Sequence, residues 1–178
     1  AIGDGGSGYG LTKDGTAQLT LSGVNTFTGG LTVNNGVVLL SGGNNRLATN
    51  GSVTLNAGSL DLGGNSQTLS TLTLSGGEVT NGVVSATTFD VRSGVASAVL
   101  AGSGALTKSG AGSATLSAAN TFTGGVTVSA GSLLLRGGDD RLSTTSALTV
   151  SGGELDLGGN RQTVSALTLS GGVLSSGT

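Results

Sequence analysis

The chain has 178 residues, of which 36 are glycine, carries a formal net charge of −2, and contains no proline, cysteine, histidine, methionine or tryptophan. Those absences exclude disulfides, zinc–thiolate sites, thiol nucleophiles and any Ser-His-Asp or Cys-His arrangement. The seven Lys and Arg are scattered, so there is no basic footprint for nucleic acid, and no apolar run reaches the roughly 20 residues of a membrane-spanning helix.

Residues 1–10, AIGDGGSGYG, lack the charged and apolar regions of a signal peptide and do not complete a structural unit. From there on glycine interrupts every window of helical length, and apolar residues never keep a helical spacing. What recurs is a strand, a small turn and a strand: LTVNNGVVLL (31–40), SVTLNAGSLDL (52–62), TLTLSGGEVTN (71–81) and FDVRSGVASA (89–98). The second half repeats it as VTVSAGSLLL (126–135), ALTVSGGELDL (147–157) and LTLSGGVLSSG (167–177). Alternation on both sides of a Gly, Asn or Ser turn is the period-two pattern of strands.

The turn glycines fall at Gly15, Gly36, Gly58, Gly77, Gly94, Gly110, Gly131, Gly153 and Gly172, with gaps of 21, 22, 19, 17, 16, 21, 22 and 19. Residues 11–82 also match 106–177 without gaps at an offset of 95, with more than half of the positions identical. The long repeat is thus five short units of roughly nineteen residues, each too small to bury its own apolar face, so units must stack. Val33 and Leu31, Leu55 and Val53, Leu74 and Leu72, and Val91 and Phe89 precede their turn glycines at fixed spacing. Val38 and Leu40, Leu60 and Leu62, Leu133 and Leu135, and Leu155 and Leu157 follow theirs. Stacking makes these positions aliphatic ladders, with Thr32, Asn34, Thr54 and Asn56 facing out.

The expected fold is all-β, a right-handed parallel β-helix of about eight to nine coils forming one unit over 1–178, since no linker divides the halves. The stretch Thr87–Gly104, where Ala96 and Ala98 replace larger aliphatics, is expected to pack thinly or to bulge. Both ends read as cut from a longer solenoid, and an uncapped end invites end-to-end self-association.

The segment 102–135, GSGALTKSGAGSATLSAANTFTGGVTVSAGSLLL, resembles the autotransporter-associated β-strand repeat, also called the passenger-associated transport repeat. The marks are Leu106, Thr107, Lys108 and Gly110; Thr115 to Ser117; Asn120 to Gly125; then Thr127, Val128, Gly131 and Leu133. The first copy carries Leu11, Thr12, Lys13 and Gly15, Thr20 to Ser22, Asn25 to Gly30, and Thr32, Val33 and Gly36. It departs at Val38, Thr16 and Ala17. The resemblance implies a passenger segment of a type V secreted bacterial surface protein, anchored through the outer membrane in its parent and displayed outside the cell. Its implied partners are the parent's own C-terminal translocator barrel and the outer-membrane export machinery.

Among polar residues, Asp61 and Asp156 lie between inward leucines and so point outward, and Glu78 and Glu154 lie just after turn glycines. Asp139 and Asp140 form an acidic pair in GGDDRL, with Asn44 and Asn45 as first-copy equivalents; a turn and a calcium site are the two readings. Lys13 and Lys108, and Arg46 and Arg141, recur, which suits turn capping or pairing with a carboxylate. Asn25 and Asn120 suit bonding of corner backbone, and Phe27 and Phe122 suit filling a coil corner rather than stacking a ligand. Paired Thr-x-Thr rows for ice are missing, because Asn34, Asn56 and Ser129 take the partner positions.

No catalytic, cofactor-binding or metal-binding residue emerges, and no cofactor is implied. The expected function is a non-catalytic stalk that also aids export by folding coil upon coil. The alternative is an adhesive surface that takes host cells, glycans or further copies of itself. A polysaccharide-processing enzyme is the remote third reading, and it would need carboxylates converging on one face.

Overall fold

A computed structural model describes residues 1–177. Among them there is no helix, and every strand pairing is parallel. Nine coils stack in chain order, each giving one strand to each of two long sheets. On the first sheet these are Leu11–Lys13, Leu31–Val33, Ser52–Leu55, Ser66–Leu74, Val83–Val91, Ala105–Lys108, Val126–Val128, Ala147–Val150 and Ala166–Leu169. On the second they are Gln18–Leu21, Val37–Leu40, Ser59–Asp61, Glu78–Thr80, Gly94–Ala96, Ser113–Leu116, Ser132–Leu135, Glu154–Asp156 and Val173–Ser175. We number the coils 1 to 9 in that order.

The inner columns are those the periodicity predicts. Leu31, Val53, Leu72, Phe89, Leu106, Val126 and Leu148 stand in register down the first sheet, and all are buried. Val33, Leu55, Leu74 and Val91 form a second column there, each 0–1% exposed. At roughly 1.5–3 kcal/mol for each fully buried aliphatic side chain, these columns offset the entropy of ordering a glycine-rich backbone. Between them Thr32, Thr54 and Thr73 face outward in register.

The turn between the two sheets requires glycine for two reasons at once. Gly131 has φ of 62°, and a Cβ there would lie 2.5 Å from the Gly110 carbonyl oxygen and 2.7 Å from the Lys108 ammonium. No other residue fits both the backbone and the space.

The Thr87–Gly104 stretch departs from expectation in an instructive way. Ala96 and Ala98 are fully buried, and the opposite sheet puts Phe89 into the same coil, its ring 5.5 Å from that of Phe122. A large residue across the core takes the volume that the alanines leave. The second sheet also slips here: Ala96, two residues past its turn glycine, pairs with Leu116, six past its own, while Gly94 pairs with Ala114. Relative to the glycines this is a slip of four residues, and an even slip preserves which face each side chain takes, so the column continues from Val79 through Ala96 to Leu116 and Leu135. Thinness survives only outside, as a cleft of about 160 Å³ beside Leu69, Ala86 and Gly102.

The third side of the coils differs along the stack. In coils 4 to 6 it is strand: Ser66–Leu69 pairs with Val83–Ala86, and Val83–Ser85 with Val99–Ala101. In the other coils it is an irregular loop, such as 22–30, 41–51, 118–125 and 137–146.

Candidate functional site: a corner of buried polar side chains

An irregular loop stacked on another must still satisfy its backbone polar groups. Asn25 and Asn120, 2% and 3% exposed, do this at equivalent corners. The Asn120 carbonyl accepts the Leu100 N–H at 2.8 Å, and its amide donates to Ala118 O at 3.0 Å and Arg141 O at 2.8 Å. Asn25 accepts the Ile2 N–H at 2.7 Å and donates to Gly23 O and Arg46 O at 2.9 and 2.8 Å. One amide thus joins three successive coils, in the role expected of these asparagines.

Gln67 and Gln162 were not singled out by sequence, yet they act in the same way one coil further on. Gln67 is 1% exposed; its carbonyl accepts the Leu47 N–H at 3.0 Å and its amide donates to Leu47 O at 3.2 Å and Thr68 O at 2.7 Å. Gln162 repeats those contacts with Leu142 and Thr163 at 2.8, 3.1 and 2.7 Å. The usable signal was their recurrence at the 95-residue offset inside the identical LDLGGN-x-QT segments.

Lys13 and Lys108 take the turn-capping alternative, from the inside. Lys108 sits in an aliphatic column between Val91 and Val128 and is 0% exposed. Its three ammonium protons match three carbonyls, Ser109 O and Gly110 O at 2.8 Å and Ala130 O, in the next coil, at 2.9 Å. Burial pulls its pKa below the usual lysine value, opposed by the nearby Asp90. Lys13 repeats the arrangement with Asp14 O, Gly15 O and Asn35 O at 2.8, 2.7 and 3.2 Å. Arg46 and Arg141 likewise donate to backbone carbonyls, of Asn44 and Ser22 and of Asp139 and Ser117.

Asp139 and Asp140 cap the following coil, accepting the Arg161 and Thr163 N–H groups at 2.9 and 2.6 Å. Asn44 and Asn45 do the same to Ser66 and Thr68 at 2.9 and 2.8 Å, and Asn45 and Asp140 share φ near 50°. That geometry is a turn's. Asp61 accepts from Gly63 N and the Asn81 amide. Asp156 pairs with Arg136 at 2.6 Å, and that bond, helped by the Gly158 N–H, lowers its pKa. Glu78 and Glu154 accept serine hydroxyls. Among the described residues no three of these acidic groups gather as a metal cluster would. Phe27 and Phe122 are buried, 4% and 0% exposed, at their corners.

On the outside, Asp14, Asn34 and Asn56 form a ladder, each amide donating to the side-chain oxygen of the coil before, at 2.8 and 2.9 Å. Near the start of the chain, Asp4 accepts the Gly6, Gly8, Tyr9 and Thr28 N–H groups and the Thr28 hydroxyl. The Thr28 bonds chiefly hold its carboxyl well below the usual range.

The parallel solenoid carries the same Lys, Asn and Phe at its corners in both copies of the repeat. The Passenger-associated-transport-repeat family matches residues 11–40 and 106–135, the two stretches that hold Lys13, Asn25 and Phe27 and Lys108, Asn120 and Phe122. The chain thus carries two passenger-associated transport repeats. It is 36% identical over 165 residues to the Adhesin BmaC autotransporter of Brucella suis biovar 1 (strain 1330), an alignment covering 86% of this chain and 5% of that protein. The chain therefore corresponds to a small fraction of the length of that relative. No solved structure matches it.

Proposed function

We propose that these coils are a non-catalytic stalk in a secreted bacterial surface protein, holding distal parts away from the cell and aiding export by ordered folding. The observation that carries this reading is the set of polar staples that each join one coil to its neighbours: Asn120 to coils 6 and 8, Lys108 to coil 7, and Gln67 to the loop of coil 3. Each coil brings groups that are satisfied only when an adjacent coil is in place, which favours growth of the stack by addition. A chain without cysteine also meets no disulfide obstacle in a narrow pore. The parent's own C-terminal translocator barrel and outer-membrane export machinery are the partners this reading requires. In the parent protein, deletion of residues 106–145 should lower both secretion yield and surface display. Unchanged export and display after that deletion would count decisively against the stalk.

The second reading is adhesion to host cells, glycans or other copies of this chain, and it is favoured by the relative's being an adhesin. Binding of the isolated solenoid to cells or to itself above background supports it, and no binding to any of these removes it. An enzymatic role is the remote third reading, and it would need carboxylates converging on one face.

A further inference from the structure

The corner between coils 2 and 3, where loops 22–30 and 41–51 meet, forms an open groove of about 360 Å³, within the size range of small-ligand sites. None of its lining residues is charged, and none belongs to residues 1–10. Val24, Leu47 and Ala48 make part of its lining apolar, while Thr26, Asn45 and Asn50 bring hydroxyl and amide groups to it. The floor is fixed: Asn25 is bonded into the stack and the Leu47 N–H is held by Gln67. Asn45 uses its carbonyl oxygen on Thr68 N, whereas its amide N–H groups, the Thr26 hydroxyl and the Asn50 amide have no internal hydrogen-bond partner among the described residues.

The second copy supplies an internal contrast. There Val24, Asn45, Ala48 and Asn50 are replaced by Ala119, Asp140, Ser143 and Thr145. The Ser143 and Thr145 hydroxyls bond each other at 3.0 Å, a carboxylate enters, and the apolar wall loses its branched side chain. The same scaffold therefore exists with and without the free polar groups.

We propose that the coil 2–3 corner binds a neutral pyranose bearing one small apolar substituent, an N-acetyl or 6-deoxy methyl group. Ring hydroxyls take the Thr and Asn groups, which both donate and accept, and the methyl lies against Val24, Leu47 and Ala48. A charged sugar would lose water there without gaining a partner. This assignment deepens the adhesive reading by naming a ligand class for it.

The test is titration of the ¹⁵N-labelled chain with N-acetylglucosamine, fucose and glucuronic acid. A single ring should bind with a dissociation constant on the order of millimolar. The expected result is saturable shifts at Thr26, Ala48 and Asn50 with a neutral sugar and none at Thr121, Ser143 and Thr145. Glucuronic acid should bind at least about tenfold more weakly. Combined Asn45→Asp, Ala48→Ser and Asn50→Thr, all residues the second corner already accommodates, should abolish the shifts in a folded chain. Absence of saturable shifts with both neutral sugars, equal response at the two corners, preference for glucuronic acid, or retention in the triple variant would each overturn the site. Cell binding is scored separately. Sugar binding supports the site whether or not cells bind, and cell binding without sugar binding removes the site and leaves the adhesive reading.

Discussion

In the long coils that carry the repeat motif, the third side of each turn is an irregular loop; in coils 4 and 5 it continues as strand from Ser66 and from Val83. Both must satisfy the same stacked backbone groups. Coils 4 and 5 do so with a ladder from Ser66↔Val83 to Leu74↔Val91. The long coils need a buried amide or ammonium at each corner instead, and they need it in a column otherwise made of Val and Leu. The difference teaches that the conserved-looking polar marks of the repeat compensate for its loops, while the coils between depend on filling volume, with Phe89 set against Ala96 and Ala98.

The comparison breaks first at Phe89. Phe89→Ala should cost about 3–5 kcal/mol and Phe89→Leu about 1 kcal/mol, read from urea unfolding, because the facing alanines cannot close the gap. A loss under about 1 kcal/mol for the alanine variant would mean the short coils are not held by packing. Next comes Asn120→Ala, which strands the Leu100 N–H and the Ala118 carbonyl, while Arg141 O keeps the backbone N–H of residue 120, and should cost about 2–4 kcal/mol. Hydrogen exchange should rise at Leu100 and around Arg141 and stay unchanged near Leu72. Lys108→Met keeps the apolar stem and removes only the ammonium, for about 1–3 kcal/mol. Lys13→Met should cost less, since Lys13 is 7% exposed and Lys108 0%.

Two smaller effects follow from titration. Lys108 has a folded pKa below its unfolded one, so between those values the unfolded chain binds more protons. Stability should therefore rise as pH climbs through that window toward the ordinary lysine value of 10.5, a slope that Lys108→Met removes. Asp4 has a slope of the same sign in the acid range, because its folded pKa is also lowered: its contribution is complete above the usual carboxylate range and fades as pH falls below it. Asp4→Asn at neutral pH should loosen residues 4–9 from Thr28 in an exchange map and leave coils 2 to 9 untouched.

The solenoid was legible because its two signals are local and repeated: alternating aliphatics such as Leu31 and Val33, and turn glycines about nineteen residues apart. Asn25 and Asn120 were legible as corner amides and Phe27 and Phe122 as corner fillers for the same reason. Lys108 was read as a cap or an ion pair, but its inward direction depends on Ala130 O, which lies 22 residues later and leaves no mark on the motif. The four-residue slip at Ala96 was invisible because glycine spacing measures chain length and not pairing. Gln67 went unread since a lone glutamine in a strand looks like solvated surface; only the coil holding Leu47 makes it interior. The coil 2–3 corner was beyond reach because Val24, Leu47 and Asn50 converge only after stacking.

The central claim is that successive coils add one strand each, in register, along a single axis. Spin labels at outward threonines measure it directly. With one label at Thr32, partners at Thr54, Thr73, Thr107 and Thr127 should lie one, two, four and five coils away. Their separations should grow by about 4.8 Å per coil, to about 24 Å at Thr127. A steady climb with coil number is the predicted result; a plateau or a fall along that series would mean the strands fold back on one another, and the account would be wrong.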